Sequence, residues 1–444
     1  MRSIMKVKNY SISNLFLIVM FVMLLVGCDF LYNPYLSKGS VVDSTANKSL
    51  WTFMIYMAAD NELEASALLD INELEAAEAV SDNLRIIVLI DKNGNGETDL
   101  HKVDTIYQIE NDKKNTLEII SKKLNYKGFG FNQNDNSIEI DTSSSDTLES
   151  FIDFVKAKYP SENYGLIMWG HGTGYKNSGI QKQLTKGFAV DDTSENYMST
   201  VDFGKAIKDK GLSIIGFDTC FGMLLEIAYE IKDSAKYIIG SPSLVPASGW
   251  DYKEIFRKFS ETIKKTELEN EEFCKIVEKE FYNQYLEDKN IVISYIDSEK
   301  IQKIFDAFDI FTGTFAEYVN TFEIKQEVYN QIFQNVTQYK GTGYPTEIML
   351  DMYSFVDFFS EINLEKANEI KNLLTLNDKK INLGVYFCTK LAVNTVKETK
   401  DINYLKSNFE EREDCLCFVK DGKNWVPTTG CEGSFLDKMF YMNY

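Results

Sequence analysis

Short, continuously apolar segments alternate with amphipathic segments through the first half of this 444-residue chain. Several of the apolar segments have the length and the aromatic and β-branched content of buried strands. They are residues 51–57, 84–90, 165–169, 212–217 and 237–240. Segments with helical spacing lie between them, including 63–77 and 148–158. This alternation predicts an α/β fold, in which helices cover both faces of a mostly parallel sheet.

The later part of the chain continues the same domain but contains more helical segments and fewer strand-like segments. Residues 255–380 contain longer helical patterns, and strand-like segments occur at 291–295 and 383–387. Because no internal repeat or clear linker interrupts residues 51–390, we expect one domain, elaborated by a helix-rich C-terminal part. Residues 391–444 fit the pattern least well and form a C-terminal extension with no assigned role.

The amino-acid composition limits the chemistry and the partners of this chain. It carries 67 acidic and 47 basic residues, a formal net charge of −20, without the basic cluster that nucleic-acid phosphates need. It contains two histidines, His101 and His171, which nearly excludes a zinc site with several histidine ligands. Its seven cysteines are an odd number, so at least one is unpaired or modified. We expect no nucleic-acid partner and no required cofactor.

The N-terminus has the three parts of a lipoprotein signal peptide. Three basic residues and no acidic ones precede residues 15–26, an apolar run of 12 residues that is too short to span a membrane. Residues 25–28 match the bacterial lipobox, in which Cys28 becomes the lipidated first residue. We therefore expect a signal peptide over 1–27, a tether over 28–50, and an extracytoplasmic site on a bacterial membrane. An uncleaved anchor is the alternative.

A histidine and a cysteine follow two of the predicted parallel strands. His171 lies two residues after 165–169, and Cys220 lies three residues after 212–217. Because the carboxyl ends of parallel strands meet at one edge of a sheet, the imidazole and the thiol should lie close together. An imidazole that aids thiolate formation and later protonates a leaving amine supports nucleophilic catalysis. The backbone amides of Gly172 and Cys220 could form an oxyanion hole.

Each of these residues alone has a simpler interpretation. An isolated cysteine among apolar neighbours is most often an inert core residue, and a lone histidine is more often structural than catalytic. The glycines around His171 could also cradle a phosphate, although the lysine and the glycine spacing of known phosphate loops are absent. The occurrence of His171 and Cys220 as a pair, at equivalent ends of two strands, favours the catalytic interpretation.

Several segments beyond this pair resemble the clostripain-like cysteine peptidases, relatives of the caspases, gingipains and legumains. The specific parts are Trp169-Gly170-His171-Gly172 and Asp218-Thr219-Cys220. Further matches occur, in order, within residues 51–62, 240–252, 294–300, 350–355 and 383–387. Together they cover about residues 51–390.

The resemblance implies a caspase-like sheet, endopeptidase activity, and His171 with Cys220 as the catalytic dyad. It also implies that Asp218 lies on the floor of the pocket beside the scissile bond, where it would pair with a substrate lysine or arginine. A structural role in orienting the loop is the alternative for Asp218. The acidic surface would attract such basic substrates over long range.

Members of this family are often zymogens that are cut in the loop after the histidine strand. Here the polar loop over 175–190 contains Lys182 and Lys186, after which a lysine-specific enzyme would cut itself. An ordinary surface loop with solvated lysines explains the same residues.

The family includes calcium-dependent enzymes, and the segment after residue 90 partly matches a calcium-binding loop. Asp91, Asn93, Asn95 and Asp99 occupy ligand positions, but position twelve is Lys102 instead of a glutamate. A turn after a strand explains the same residues. The sequence therefore gives only a weak indication of calcium at these positions.

A second hypothesis comes from another class of protein. A surface lipoprotein could keep this fold and act as an adhesin or a binding module without catalysis. The intact pair of His171 and Cys220 argues against that hypothesis. Transpeptidation through the same thioester chemistry is a third hypothesis, and the sequence indicates no oligomeric state.

Overall fold

The computed structural model describes most of the predicted domain. The described residues are 48–93, 104–125, 139–172, 187–263, 270–286, 288, 290–322, 331–332, 334–340, 347–376, 378–388, 416–421 and 424–429. The predicted signal peptide, nearly all of the tether, and most of residues 391–444 lie outside them. No helix within the described ranges is long and apolar enough to cross a bilayer.

The strands are numbered in chain order. They are β1 (Ser49–Ala59), β2 (Leu84–Lys92), β3 (Thr105–Gln108), β4 (Lys122–Leu124), β5 (Ser161–Gly170), β6 (Phe188–Asp191), β7 (Asn196–Met198), β8 (Leu212–Asp218), β9 (Ala235–Gly240), β10 (Ser294–Asp297), β11 (Gln338–Lys340), β12 (Glu347–Asp351), β13 (Thr375–Leu376), β14 (Lys379–Lys380), β15 (Gly384–Cys388), β16 (Leu416–Asp421) and β17 (Asn424–Thr429).

The central sheet has eight strands in the described part of the chain, in the order β10-β9-β8-β5-β1-β2-β3-β4. The strands from β9 to β2 run parallel, and they contain the apolar segments that the sequence predicted as strands. Antiparallel strands complete both edges, with β10 beside β9 and with β3 and β4 beyond β2. The prediction of a mostly parallel sheet is therefore confirmed.

The helices surround this sheet and are likewise numbered in chain order. They are α1 (Glu64–Ala76), α2 (Ser145–Lys158), α3 (Thr200–Ile207), α4 (Leu225–Ile231), α5 (Tyr252–Ile263), α6 (Glu271–Gln284), α7 (Ile301–Phe322), α8 (Met352–Phe358) and α9 (Leu364–Leu373).

Successive side chains of the parallel strands enter two separate hydrophobic cores, one on each face of the sheet. From β1, Phe53 and Ile55 pack with apolar residues of α1, α5 and α6. Met54 and Tyr56 point the other way and pack with residues of α2, α3, α4 and the later helices. Because each strand supplies both cores, it is apolar throughout, which is why the sequence shows continuous runs instead of alternation.

Two strands were not predicted, one predicted strand is shifted along the chain, and one predicted strand lies in a separate sheet. The short edge strands β3 and β4 were not predicted, because Lys122 and Lys123 give β4 no apolar run. The strand expected at 291–295 lies at Ser294–Asp297, where it pairs antiparallel with β9. The strand expected at 383–387 is β15, which belongs to the smaller sheet β11-β12-β15. The strands of this sheet are not hydrogen-bonded to the central sheet.

Gly165 of β5 tests the packing between the sheet and its helices. A Cβ atom there would lie 2.4 Å from the ring of Phe53, which is fully buried. We expect Gly165→Ala to lower the free energy of unfolding by about 1–3 kcal/mol, because the ring must shift within a packed core. Urea unfolding followed by circular dichroism measures this change.

Gly313 of α7 provides the matched control, because a Cβ atom at that position meets nothing within 4 Å. The substitution Gly313→Ala therefore changes only the helix propensity of this position. Because alanine favours the helix more than glycine does, the free energy of unfolding should rise by up to about 1 kcal/mol. Equal stability of the two variants would contradict the packing argument.

Candidate active site

The pairing of β5 with β8 sets the geometry of the site. Trp169 pairs with Asp218 in the parallel ladder, so the two strands end at the same level. His171 lies two residues beyond Trp169, and Cys220 lies two residues beyond Asp218. As predicted, the two strand ends that carry the histidine and the cysteine are neighbours at one edge of the sheet.

Gly172 brings the backbones of the two segments into contact. A Cβ atom at this position would lie 2.1 Å from the carbonyl oxygen of Cys220 and 2.8 Å from Oγ1 of Thr219. No other residue fits there without displacing the cysteine. The close approach therefore explains the glycine and places the Gly172 and Cys220 backbones side by side, as an oxyanion hole would require.

The thiol of Cys220 is covered by the backbone of the loop over 241–249. Its Sγ accepts a hydrogen bond from the backbone N–H of Val245 (3.3 Å) and lies 3.7 Å from the carbonyl oxygen of the same residue. Two residues after Cys220 also form hydrogen bonds with this loop. The backbone N–H of Phe221 donates to the carbonyl oxygen of Ser243, and that of Met223 donates to the carbonyl oxygen of Ser241, both at 3.0 Å. The segment after Cys220 is thus attached to this loop by backbone hydrogen bonds.

Burial raises the pKa of the Cys220 thiol above its ordinary value, and the charge of Asp218 raises it further. The hydrogen bond from Val245 opposes this shift but does not overcome it. The sulfur is therefore mainly a neutral thiol in this arrangement, and its activation requires a base or a movement of the loop.

The imidazole of His171 contacts a carboxylate from the end of β1. Its Nε2 lies 3.0 Å from Oε1 of Glu62, and the Glu62 side chain is 74% exposed. Within the described residues, the His171 side chain thus hydrogen-bonds to Glu62 and the Cys220 thiol to Val245, and not to each other. Catalytic hydrogen bonds often form only when substrate is bound, so this arrangement is compatible with a dyad.

Asp218 is buried, two residues before Cys220. Its Oδ2 accepts hydrogen bonds from the backbone N–H of Trp250 (3.1 Å) and the hydroxyl of Tyr252 (3.0 Å). Its Oδ1 is buried without a hydrogen-bond partner among the described residues. Burial raises the pKa of Asp218 to about 7, although both hydrogen bonds lower it.

Gly249 allows the loop over 241–249 to pass directly over this carboxylate. Its φ of +49° lies in the left-handed region, and a Cβ atom would lie 2.6 Å from Oδ2 of Asp218. Tyr285 fixes the same stretch, because its hydroxyl donates to the Gly249 carbonyl at 2.8 Å and lies 2.8 Å from Oγ of Ser248. The carboxylate is thus enclosed by backbone and neutral hydroxyl groups.

Helix α1 adds two carboxyl groups near Asp218 that the sequence analysis missed. The indole N–H of Trp169 donates to Oδ2 of Asp70 at 2.7 Å, and burial followed by repulsion from Asp218 raises the Asp70 pKa to about 9. Glu73 Oε2 accepts from the backbone N–H of Tyr252 at 3.1 Å, and burial raises its pKa as well. The side chains of Asp70 and Glu73 therefore lie close enough to Asp218 for their charges to interact with it.

The sequence contains a signal for Asp70. It lies three residues after Ala67 and four before Leu74, on the buried face of α1. Burying an acidic side chain on the apolar face of a helix is costly unless it is hydrogen-bonded or paired. Such a residue therefore indicates a functional group or one with a specific hydrogen-bond partner.

Several predicted site residues lie elsewhere or outside the described ranges. Asp91 is not in a turn but within β2, where it is fully buried, and Asn93 follows it. Those outside the described residues are Cys28, Asn95, Asp99, His101, Lys182 and Lys186.

A family model and a curated relative match this chain. The model described as the clostripain family matches residues 55–417. Clostripain of Hathewaya histolytica is 29% identical over 224 residues, which are 46% of this chain and 41% of that protein. The chain thus spans less than half the length of this curated relative.

Solved structures share the fold. The inactive zymogen of a C11 protease from Parabacteroides distasonis has a TM-score of 0.56 at 19% identity, over 81% of this chain and 96% of that one. A secreted C11 cysteine protease from Bacteroides thetaiotaomicron, in complex with an irreversible peptide inhibitor, has a TM-score of 0.53 at 16% identity, over 81% and 97%. At such identities the likeness establishes the fold.

Proposed function

Because this chain belongs to the clostripain family, a family of cysteine peptidases, we propose that it is an endopeptidase with Cys220 as the nucleophile. The observation that carries the proposal is the register of β5 and β8, which brings His171 and Cys220 to neighbouring strand ends. The close approach of Gly172 to the Cys220 backbone supports it, because an oxyanion hole made of the Gly172 and Cys220 amides needs these two backbones side by side.

The proposed reaction proceeds in two stages. His171 takes the proton of the Cys220 thiol, and the sulfur attacks the scissile carbonyl carbon. The amides of Gly172 and Cys220 stabilise the oxyanion, and the protonated imidazole then gives its proton to the leaving amine. Water hydrolyses the resulting thioester and regenerates the thiol. Substrate must displace Val245 from the sulfur before the first stage begins.

Substitution of either dyad residue tests the peptidase activity. We expect Cys220→Ala and His171→Ala to lower the hydrolysis of a fluorogenic arginine or lysine peptide at least about a thousandfold, because the covalent route is lost. Cys274→Ala is the matched control, since it removes a fully buried thiol elsewhere in the core and should retain activity. Wild-type hydrolysis that equals that of the two dyad variants would contradict the proposal and favour a binding module.

We further propose that the enzyme cleaves after arginine or lysine. The support is the group of Asp70, Glu73 and Asp218, since Oδ1 of Asp218 is buried without a partner among the described residues. The hydrogen-bond donors to Asp218 are neutral, so they do not compensate its charge. A guanidinium or ammonium group of a substrate would supply both the missing donor and the missing charge.

This specificity should depend on pH through Asp218. Its pKa is raised to about 7, so its negative charge, and the attraction for a basic substrate, is lost as the pH falls below about 7. We expect the ratio of kcat/KM for an arginine substrate to that for a neutral analogue to rise with pH through this range. The ratio cancels the titration of the dyad, which both substrates share.

The variant Asp218→Asn tests whether Asp218 determines the preference for arginine, measured as the ratio of kcat/KM for the arginine substrate to that for the neutral analogue. It should lower this ratio by about tenfold to a hundredfold and abolish its pH dependence, because one charge-assisted hydrogen bond is lost. An undiminished preference for arginine in Asp218→Asn would refute the role of this residue in specificity.

The maturation of the protein forms the last part of the proposal. The chain is exported, is lipidated at Cys28, and is tethered to a bacterial membrane by residues 28–50. It then cuts itself after Lys182 or Lys186. The covered thiol of Cys220 supports a latent form before this cut, because Val245 must leave the sulfur for catalysis.

Mass spectrometry of the full-length protein from bacterial membranes tests both steps. We expect the wild-type chain to begin at a lipid-modified Cys28 and to yield fragments that end at Lys182 or Lys186, whereas Cys220→Ala stays in one piece. Cys28→Ser should leave the membrane fraction. An uncut wild-type chain would refute self-cleavage, and an unmodified Cys28 would refute lipidation.

A further inference from the structure

The first strand of the domain begins at one end of the central sheet, and the candidate active site lies at the other. Ser49 at the start of β1 pairs with Ser161 at the start of β5, and β2 begins beside them. His171 and Cys220 follow the opposite ends of the parallel strands. Because β1 has 11 residues and a strand rises about 3.3 Å per residue, about 30 Å separates the two ends. The end at which β1, β2 and β5 begin is called the amino end of the sheet.

The loop over 109–121, between β3 and β4, is attached to the amino end. The backbone N–H of Ile109 donates to the carbonyl oxygen of Ile86, near the start of β2, at 3.0 Å. Glu75 lies in the last turn of α1 and is fully buried. Its Oε1 accepts from the backbone N–H groups of Ile120 (2.9 Å) and Ser121 (2.7 Å). The loop is therefore held between the beginning of β2 and the end of α1.

An ordered turn in this loop presents apolar side chains to the surroundings. Asp112 accepts hydrogen bonds from the backbone N–H of Lys114 (2.8 Å) and from the backbone N–H and the hydroxyl of Thr116 (2.6 and 2.8 Å). Leu117 follows directly and is 82% exposed, and Ile120 is 44% exposed. Single exposed apolar side chains are common on protein surfaces, so the meaning of these two depends on their neighbours.

Lysines flank the exposed apolar side chains. Residues 113–123 contain four lysines and one acidic residue, Glu118, in a chain whose formal net charge is −20. The lysines are Lys113, Lys114, Lys122 and Lys123, and all four are exposed. They lie in the loop and in β4, so the attraction of lysine to the C-terminus of a helix does not explain them.

The positive charge extends from β4 to the end of α2. Lys122 pairs with Gln108 of β3, and Oε1 of Gln108 accepts from the hydroxyl of Tyr159 at 3.0 Å. Lys158, the last residue of α2, precedes Tyr159 and is exposed. Desolvation lowers the pKa of Lys158, the charge of Lys122 lowers it further, and no carboxylate of the described residues raises it. The two lysines are thus close enough to repel each other, which favours an anionic partner for both.

The same end of the sheet receives the start of the domain. Nη1 of Arg85 donates to the carbonyl oxygen of Pro160 at 3.3 Å, and the backbone N–H of Ser49 donates to the same oxygen at 3.2 Å. Lys48, the residue before Ser49, is exposed. Exposed acids at this end include Asp82 and Glu162. The excess of positive charge therefore lies around the loop over 109–121 and the end of α2.

We propose that this end of the domain binds the anionic headgroups of the bilayer through a basic surface. The basic surface consists of Lys113, Lys114, Leu117, Ile120, Lys122 and Lys158. Lysines near a membrane are attracted to anionic lipids within about a Debye length, and exposed apolar side chains between them insert at the headgroup level. The combination of the two kinds of side chain fits a lipid surface better than it fits a soluble anion.

The position of the basic surface along the chain supports a membrane as the partner. Only residues 29–47 lie between Cys28 and Lys48, so a lipid on Cys28 would keep the start of the domain within about 70 Å of the bilayer. The inference rests on the proposed lipidation for this proximity, whereas the charge and the exposed side chains are independent of it.

Binding through the basic surface fixes the direction of the active site. The strand ends that carry His171 and Cys220 lie at the opposite end of the sheet, so they would face the aqueous phase, about 30 Å from the amino end. The proposed peptidase would therefore meet its protein substrates in the aqueous phase and not at the lipid surface.

Hydrogen exchange followed by mass spectrometry tests the basic surface in the full-length chain carrying Cys220→Ala, which excludes self-digestion. The chain is placed on vesicles of phosphatidylcholine alone or of equal parts phosphatidylcholine and phosphatidylglycerol. We expect the amides of residues 113–124 to exchange at least about threefold more slowly on the anionic vesicles. This protection should disappear in about 1 M salt, where the Debye length falls to about 3 Å. Residues 241–249, at the active site, should exchange equally on both vesicles.

A pair of charge reversals tests which residues make the contact. Lys113→Glu combined with Lys122→Glu should abolish the difference between the two vesicles, because the attraction becomes repulsion. The matched control combines Lys279→Glu and Lys379→Glu, which make the same change of charge on exposed lysines of α6 and β14, and it should keep the difference. Leu117→Ser should weaken the protection and retain its dependence on anionic lipid.

The proposal is overturned if residues 113–124 of the parent chain exchange equally on both vesicles, or if the protection persists in the variant with Lys113→Glu and Lys122→Glu. The mass of the peptide at Cys28 reports lipidation separately. An unmodified Cys28 would refute the lipid tether alone, because the exchange measured with excess vesicles still decides whether the basic surface binds them.

Discussion

The parallel register between β5 and β8 is the constraint on which the site depends. Trp169 opposite Asp218 makes both strands end together, so that two short loops emerge side by side. A shift of one residue would turn the side chains of one strand to the other face of the sheet, and the packing of both cores prevents it. The register is therefore maintained by the hydrophobic cores, and the chemistry at the strand ends adds little to that stability.

The same edge of the sheet holds two concentrations of negative charge with different surroundings. Near Asp218 the carboxyl groups receive hydrogen bonds from neutral donors. Near Asp60 the carboxyl groups face each other, and two of their oxygens have no donor among the described residues. Both arrangements raise the pKa of buried acids, and in the first case we propose a cationic substrate side chain as the partner of Asp218.

The sequence predicted the parallel strands and the neighbouring positions of His171 and Cys220 because both signals are local. A continuous apolar run identifies a strand that is buried on both faces, and residue type with position indicates His171 and Cys220. The approach of Asp60 to Asp191 was not predictable, since these residues lie 131 positions apart in the sequence and meet only after the chain has folded. Asp70 was missed for a different reason: its helical position indicated burial, but its partner Trp169 comes from another element.

The covered thiol of Cys220 has a consequence for chemical durability. Oxidation to sulfenic acid proceeds through the thiolate, and both burial and the nearby Asp218 charge keep the thiolate population low. A nucleophile kept protonated until a peptide opens the loop can survive in an oxidising medium, where an exposed thiolate would be consumed. Low resting reactivity thus protects the residue that we propose as the nucleophile.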